Sequence, residues 1–172
     1  MRASYRTGRG APGTQRPGLA YPIPMNAALT ASERLEIEQA CTRLAYIYVR
    51  ALDSHDADTA ADCFALHGSM TRPMQPEQVI EGREAIRASL KSRPRSLLTR
   101  HLAGNVVIDV ESRDAAGGIT TLVMIGCTPP EGELPPHASN GPLYFGEFRD
   151  RFVRESGEWK FLERRGSIAI KY

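Results

Sequence analysis

The sequence contains no apolar run approaching the roughly 18 residues that cross a bilayer, so it offers no transmembrane helix. It has no Cys-x-x-Cys pair. Its three cysteines, Cys41, Cys63 and Cys127, are widely spaced among apolar residues, and its four histidines are scattered. This excludes the spacing of a structural zinc site and points to free thiols in a reducing cytoplasm. Neither a P-loop nor G-x-S-x-G occurs, and no cofactor is expected. An excess of one charge is missing as well: 22 Lys and Arg stand against 20 Asp and Glu. Much of the small surplus falls on Arg2, Arg6, Arg9 and Arg16, so the rest of the chain carries no electrostatic footprint for nucleic acid. Those arginines are followed by no apolar segment of the kind a secretory signal needs, and a cytoplasmic location is expected.

What is present fits one domain of 172 residues, 41% apolar and 24% charged. Residues 1–24, rich in Gly, Pro and Arg, read as a flexible extension, and 25–172 as the folded unit. A helix is predicted over 31–52, capped by Thr30 or Ser32 with Glu33 in its first turn. Ile37, Cys41, Leu44, Tyr48 and Leu52 form one apolar stripe, and Leu35, Thr42, Tyr46, Val49 and Asp53 form a second beside it. Together they cover about half the circumference, against the roughly 100° that a surface helix requires. Such a helix meets a sheet and something else, for which a pocket is one candidate. A short helix over 57–64, a short strand near 69–72 and a helix over 84–91 stopped by Pro94 follow. Strands are then predicted over 97–110 and 119–127, with 115–118 as the hairpin turn between them. Two more, 143–154 and 159–170, are joined across Ser156-Gly157, after a proline-rich loop over 129–142. Helices followed by an antiparallel meander define an α+β fold. The strands over 97–110 and 119–127 are apolar on both faces, which predicts a homo-oligomer, a dimer, built on the outer face.

Two residues stand out chemically. Asp53 ends the first helix, where the macrodipole disfavours an anion. His101 lies in the long strand and, counted by twos, shares a face with Ala103, Asn105 and Val107. Each has a plain alternative: Asp53 as the start of the 53–56 turn, His101 as a strand histidine donating to a neighbour. As a pair they gain a function. A carboxylate bonded to one ring nitrogen fixes the tautomer and raises the basicity of the other, giving a general base at a pocket wall. Asn105 is then placed to orient a substrate oxygen. Tyr46 and Val49, beside Asp53 on the second stripe, are the helix residues expected to touch substrate.

The segments YIYVRALDSHDADTAADCF, EGREAIRASL, LTRHLAGNVVIDV and YFGEFRDRFVRESGEWKFLERRG occur in this order. So arranged, they resemble the SnoaL-like domain of the nuclear-transport-factor-2-like superfamily over roughly 32–166. The resemblance implies a cone: a curved antiparallel sheet wrapped around N-terminal helices with an internal pocket. The superfamily includes scytalone dehydratase, polyketide cyclases, steroid isomerases, a dehydrochlorinase, dioxygenase β subunits and binding modules. In dehydratase-like members an Asp at the end of the first helix supports a strand histidine, and Asp53 and His101 stand at those places. The dehydratase's water-holding tyrosines have no match here: Leu52 precedes Asp53, and Ser69-Met70-Thr71 occupies the short strand. The implied activity is a cofactor-independent lyase or isomerase acting on a small apolar substrate with a carbonyl or hydroxyl. The alternatives are a non-catalytic ligand-binding module and a β-type accessory subunit of a ring-hydroxylating dioxygenase.

Overall fold

In the computed structural model, which describes residues 28–139 and 141–172, the first element begins at the expected cap. The expected extension over 1–24 lies outside the described residues. Thr30 Oγ1 accepts from the Glu33 N–H at 3.2 Å, and Glu33 Oε2 accepts from the Thr30 N–H at 2.7 Å. This capping box starts α1 (Ala31–Asp53). Thr30→Ala is expected to lower stability by about 1 kcal/mol, read as a lower urea midpoint with an unchanged slope.

Next come α2 (Ala57–Asp62), β1 (Phe64–Arg72), β2 (Gln75–Glu81), α3 (Arg83–Lys91), β3 (Leu98–Val110), β4 (Ala115–Cys127), β5 (Tyr144–Glu155) and β6 (Glu158–Lys171). The six strands form one open sheet in the order β2-β1-β6-β5-β4-β3. All neighbours are antiparallel except β1 and β6, which run parallel. The α+β class thus holds, with one parallel step in place of a pure meander. Three details differ from expectation. The short helix stops at Asp62, because Phe64 enters β1. β2 is an exposed edge strand whose residues follow no alternation. Finally, 115–118 is strand rather than turn: Ala115 pairs with Val153 and Gly118 with Asp150, and the chain reverses over 111–114 instead. Gly118 is glycine for packing, since a Cβ there would lie 2.8 Å from Ile108 Cδ1. Ser156 and Gly157, with φ of 52° and 86°, make the tight turn that the sequence announces.

The sheet folds around α1, whose Ile37, Cys41, Ala45 and Tyr48 meet Phe64, Phe148, Phe152 and Phe161 in the core. At its centre lies a charge. The Arg164 guanidinium is fully buried, 4.0 Å from the Phe148 ring centroid, 4.3 Å from that of Phe161 and 4.6 Å from that of Tyr48. Its counterion is Asp150, at 3.3 Å and equally buried. Burial pushes the Asp150 carboxyl up to about 6, against the opposing pull of Arg164.

The outer face of the β3–β5 end is apolar, as the two-sided strand pattern implied. Leu102 (72% exposed) lies opposite Val123, which lies opposite Phe145, and Val107 (59% exposed) lies opposite Ile119. Among the described residues, no helix is long and apolar enough to cross a membrane.

Candidate active site

α1 and β3 run alongside each other in opposite senses, with Arg34 Nη1 donating to the Val110 carbonyl at one end. At the other end Asp53 reaches β3. Its carboxylate receives three hydrogen bonds from that strand: the Thr99 hydroxyl at 2.9 Å, the His101 backbone N–H at 2.8 Å and His101 Nδ1 at 2.5 Å. The unfavourable helix end is thereby compensated by donors from the sheet. Burial works against the ionised carboxyl, but the bonds from the His101 ring and backbone, joined by Thr99, outweigh it and hold Asp53 below its ordinary value. A carboxyl so lowered stabilises the fold above about pH 4, where the unfolded group is already ionised, and that stability is lost as pH falls through the folded value. Asp53→Asn is therefore expected to flatten the acid limb of a stability–pH curve measured by urea unfolding.

With Asp53 ionised, Nδ1 of His101 donates the bond between them, and in the neutral ring the acceptor lone pair then falls on Nε2. His101 forms part of the wall of a cavity of about 490 Å³, while Asp53 does not line the space. Tyr48, Leu52, Leu122, Met124, Phe148 and Ile168 make the apolar wall. Burial pushes the Tyr48 hydroxyl up to about 12, so it stays protonated, and the acceptor it meets is the Met70 sulfur at 3.9 Å. Arg72 and Arg93 bring positive charge to the same cavity. Arg93 joins the Asp53 network through Thr99, whose hydroxyl accepts from Nη2 at 3.1 Å.

The structure brings Asp53 and His101 together and places the other expected contacts elsewhere. Tyr46 is 42% exposed and does not line the cavity. It sits two helical turns, about 10 Å, before Asp53. Val49 is buried in the core rather than at the cavity wall. Asn105 is exposed, because β3 bulges between Gly104 and Val107 and Asn105 takes a φ of 45°. Counting by twos fails across a bulge. The tyrosine that reaches the cavity is Tyr48, on the neighbouring stripe, and Thr99, Arg72 and Arg93 join it without having been singled out by sequence. None of the described residues of the 129–142 loop lines the cavity that His101 borders. The loop's Pro135 and His137 cover a separate hollow of about 290 Å³ against Leu98 and Ile125. Cys41 and Cys63 are unreactive by burial, which pushes their thiols up to about 12 and 11. Among the described residues, no group of three or more His, Cys, Asp or Glu side chains is arranged to hold a metal ion.

Helices at the start, an open sheet curled around them and a cavity reached by a strand histidine define the nuclear-transport-factor-2-like cone. Within it the chain belongs to the SnoaL-like domain family, whose sequence model matches residues 33–165. No curated protein matches the sequence. Solved structures share the fold at low identity. A candidate scytalone dehydratase from Novosphingobium aromaticivorans is 21% identical, covering 83% of this chain and 91% of that one with a TM-score of 0.68. A type 2 hexachlorocyclohexane dehydrochlorinase is 18% identical over 83% and 92%, with a TM-score of 0.69. A candidate aromatic ring hydroxylase from N. aromaticivorans is 16% identical over 79% and 91%, with a TM-score of 0.64.

Proposed function

We propose that this chain is a cofactor-independent lyase or isomerase, of the dehydratase or cyclase type, in which His101 is the general base and Asp53 its orienting carboxylate. One observation carries the reading: Asp53 grips the imidazole at Nδ1, while His101 borders the cavity. Nε2 takes a proton from a carbon beside a carbonyl or hydroxyl-bearing carbon. The imidazolium, stabilised by Asp53, then returns that proton to a departing hydroxyl or to another carbon. The Tyr48 hydroxyl, protonated and held by a weak sulfur acceptor, donates to the substrate oxygen on which charge develops. Two of the similar structures carry names that denote elimination, a dehydratase and a dehydrochlorinase, in keeping with this chemistry. The test is incubation in D2O with a panel of hydroxy-ketones and polyketide-like compounds. Loss of water from a panel member, or uptake of solvent deuterium, supports the reading. Compounds that bind but exchange no proton and lose no water would make the chain a binding module.

The apolar outer face supports a second proposal, that two copies pair across β3–β5. Light scattering is expected to give twice the chain mass, and Leu102→Glu with Val107→Glu the single mass. A wild-type monomer at micromolar concentration would refute it. If the face instead serves a different chain, as in an accessory subunit, a stoichiometric hetero-complex would be recovered from the native source. The free thiols of Cys41, Cys63 and Cys127 suit the cytoplasm as the place of action.

A further inference from the structure

Among the described residues, partly or fully buried arginines face carboxylates as a rule. Arg83 meets Glu155 at 2.6 Å, Arg87 meets Asp58 and Asp62 at 2.7 Å, and Arg113 meets Glu33 at 2.9 Å. Arg164 meets Asp150 at 3.3 Å and Arg165 meets Glu163 at 3.8 Å. Arg72 and Arg93 depart from the rule, and both line the cavity that His101 borders. Arg72 donates from Nη2 to the carbonyl and hydroxyl oxygens of Ser89, at 2.8 and 2.6 Å. Arg93 donates from Nη1 to the Leu52 carbonyl at 2.9 Å and from Nη2 to the Thr99 hydroxyl. All four acceptors are neutral. The nearby carboxylate, Asp53, is occupied by Thr99 and His101, and among the described residues no acidic side chain lines the cavity.

Two positive charges thus share a part-desolvated space with no anion between them. Burial holds the Arg93 guanidinium below its ordinary value against the opposing pulls of Tyr48 and Asp53, and the like charge of Arg72 adds to the lowering. Such an arrangement is unfavourable by itself and is relieved when an anion enters. Arg72 keeps Nε and Nη1, and Arg93 keeps Nε, free of the bonds named above, so both retain donors to offer. The remaining wall, with Leu97, Leu122, Met124 and Ile168, accepts hydrocarbon.

We infer that the substrate is an apolar organic acid, whose carboxylate lies between Arg72 and Arg93 and whose hydrocarbon body lies against Leu122, Met124 and Ile168 beside His101. The planar, singly charged group suits two guanidinium forks. A phosphate is poorly matched: among the described residues no glycine-rich loop lines the cavity, and the helix ends that do, around Leu52 of α1 and Leu90 of α3, present carbonyls rather than N–H groups. The inference rests on His101's cavity being the reaction site and narrows what that site accepts.

The test uses the whole chain and three probes, 4-phenylbutyrate, its neutral amide and 4-phenylbutyl phosphate, with binding measured by calorimetry. The acid is expected to bind about tenfold or more tightly than the amide, with the preference weakening in salt. In Arg72→Gln and Arg93→Gln the acid and amide should bind nearly alike. Arg72 is the safer variant, because Arg93 also ties β3 to the end of α1. Equal binding of acid and amide to the wild type would overturn the inference. So would a preference that survives in Arg72→Gln and a folded Arg93→Gln, or tighter binding of the phosphate. His101→Ala separates this from the general-base reading. An acid preference retained there alongside lost proton exchange supports both. Lost exchange without any acid preference would overturn only the substrate class, and full exchange in His101→Ala with the preference intact would overturn only the base.

Discussion

His101→Ala should fold, bind ligand and turn substrate over about 10²–10⁴ times more slowly, the usual contribution of a positioned general base. Folding should survive because Asp53 keeps two of its three donors, the Thr99 hydroxyl and the backbone N–H of residue 101, when the ring is gone. Affinity should survive because the ring is a small part of a cavity walled chiefly by aliphatic and aromatic side chains. Asp53→Asn should show a loss of similar kind for a different reason. The amide turns the acceptor at Nδ1 into a group that also donates, so the imidazole is no longer held in one tautomer and its protonated form is not stabilised. The two losses should not add in the double variant, since the side chains act as one unit. The readout is single-turnover rate beside ligand affinity, with circular dichroism as the control on folding. Unchanged turnover in His101→Ala would end the general-base assignment.

The largest effect on stability is expected in the core. Arg164→Leu removes the counterion of a carboxyl already raised to about 6 by burial, and withdraws a cation from between three aromatic rings. Breaking a buried pair from one side costs about 3–5 kcal/mol, because the abandoned charge has no solvent. The sign of the pH dependence follows from the raised value. Asp150 binds its proton more tightly in the fold than in the unfolded chain, so its contribution is most favourable below about pH 4 and is lost as pH rises through about 6. The deficit of Arg164→Leu should accordingly shrink between pH 7.5 and pH 5 in urea unfolding. Replacing both partners, Asp150→Leu with Arg164→Met, should recover much of the loss. A loss under about 1 kcal/mol at pH 7.5 for Arg164→Leu would show that the pair does not support the core in this way.

The sequence disclosed the parts of the fold that local chemistry determines. Thr30 and Glu33 marked the start of α1, Ser156-Gly157 marked the last hairpin, and apolar spacing marked α1 and the four long strands. Asp53 and His101 were legible because each is odd in its setting, an anion at a helix's carbonyl end and an imidazole among aliphatic strand residues. What could not be read depends on geometry between elements. The bulge after Gly104 turned Asn105 outward, and no residue pattern announces it. β2 is an edge strand with little buried on either face, so it lacks the alternation by which strands are recognised. Gly117-Gly118 resembled a turn because glycine serves close packing as well as chain reversal, and here Ile108 and Phe152 occupy the space of a side chain at Gly118. Arg72, at the end of β1, and Arg93, just past α3, each precede a proline, and nothing local distinguishes them from surface arginines. Their meaning appears only when the acids that accompany every other buried arginine are seen to be missing.

The parallel step between β1 and β6 bears on how the chain comes to be folded. Phe64 aligns with Phe161, so a strand formed early in synthesis waits for the last strand before its free side is paired. β6 also carries Arg164, the cation that Asp150 needs, and Phe161, against which α1 and β1 pack. A nascent chain stopped short of β6 holds its sheet in two halves, β1 with β2 and the β3–β5 meander, bridged by α1 where it lies along β3. Contacts this distant in sequence form slowly, and the exposed apolar surfaces of the waiting halves invite association with other chains. β6 therefore acts as the clasp of the cone, and a chain that ends before Phe161 should aggregate rather than close its sheet.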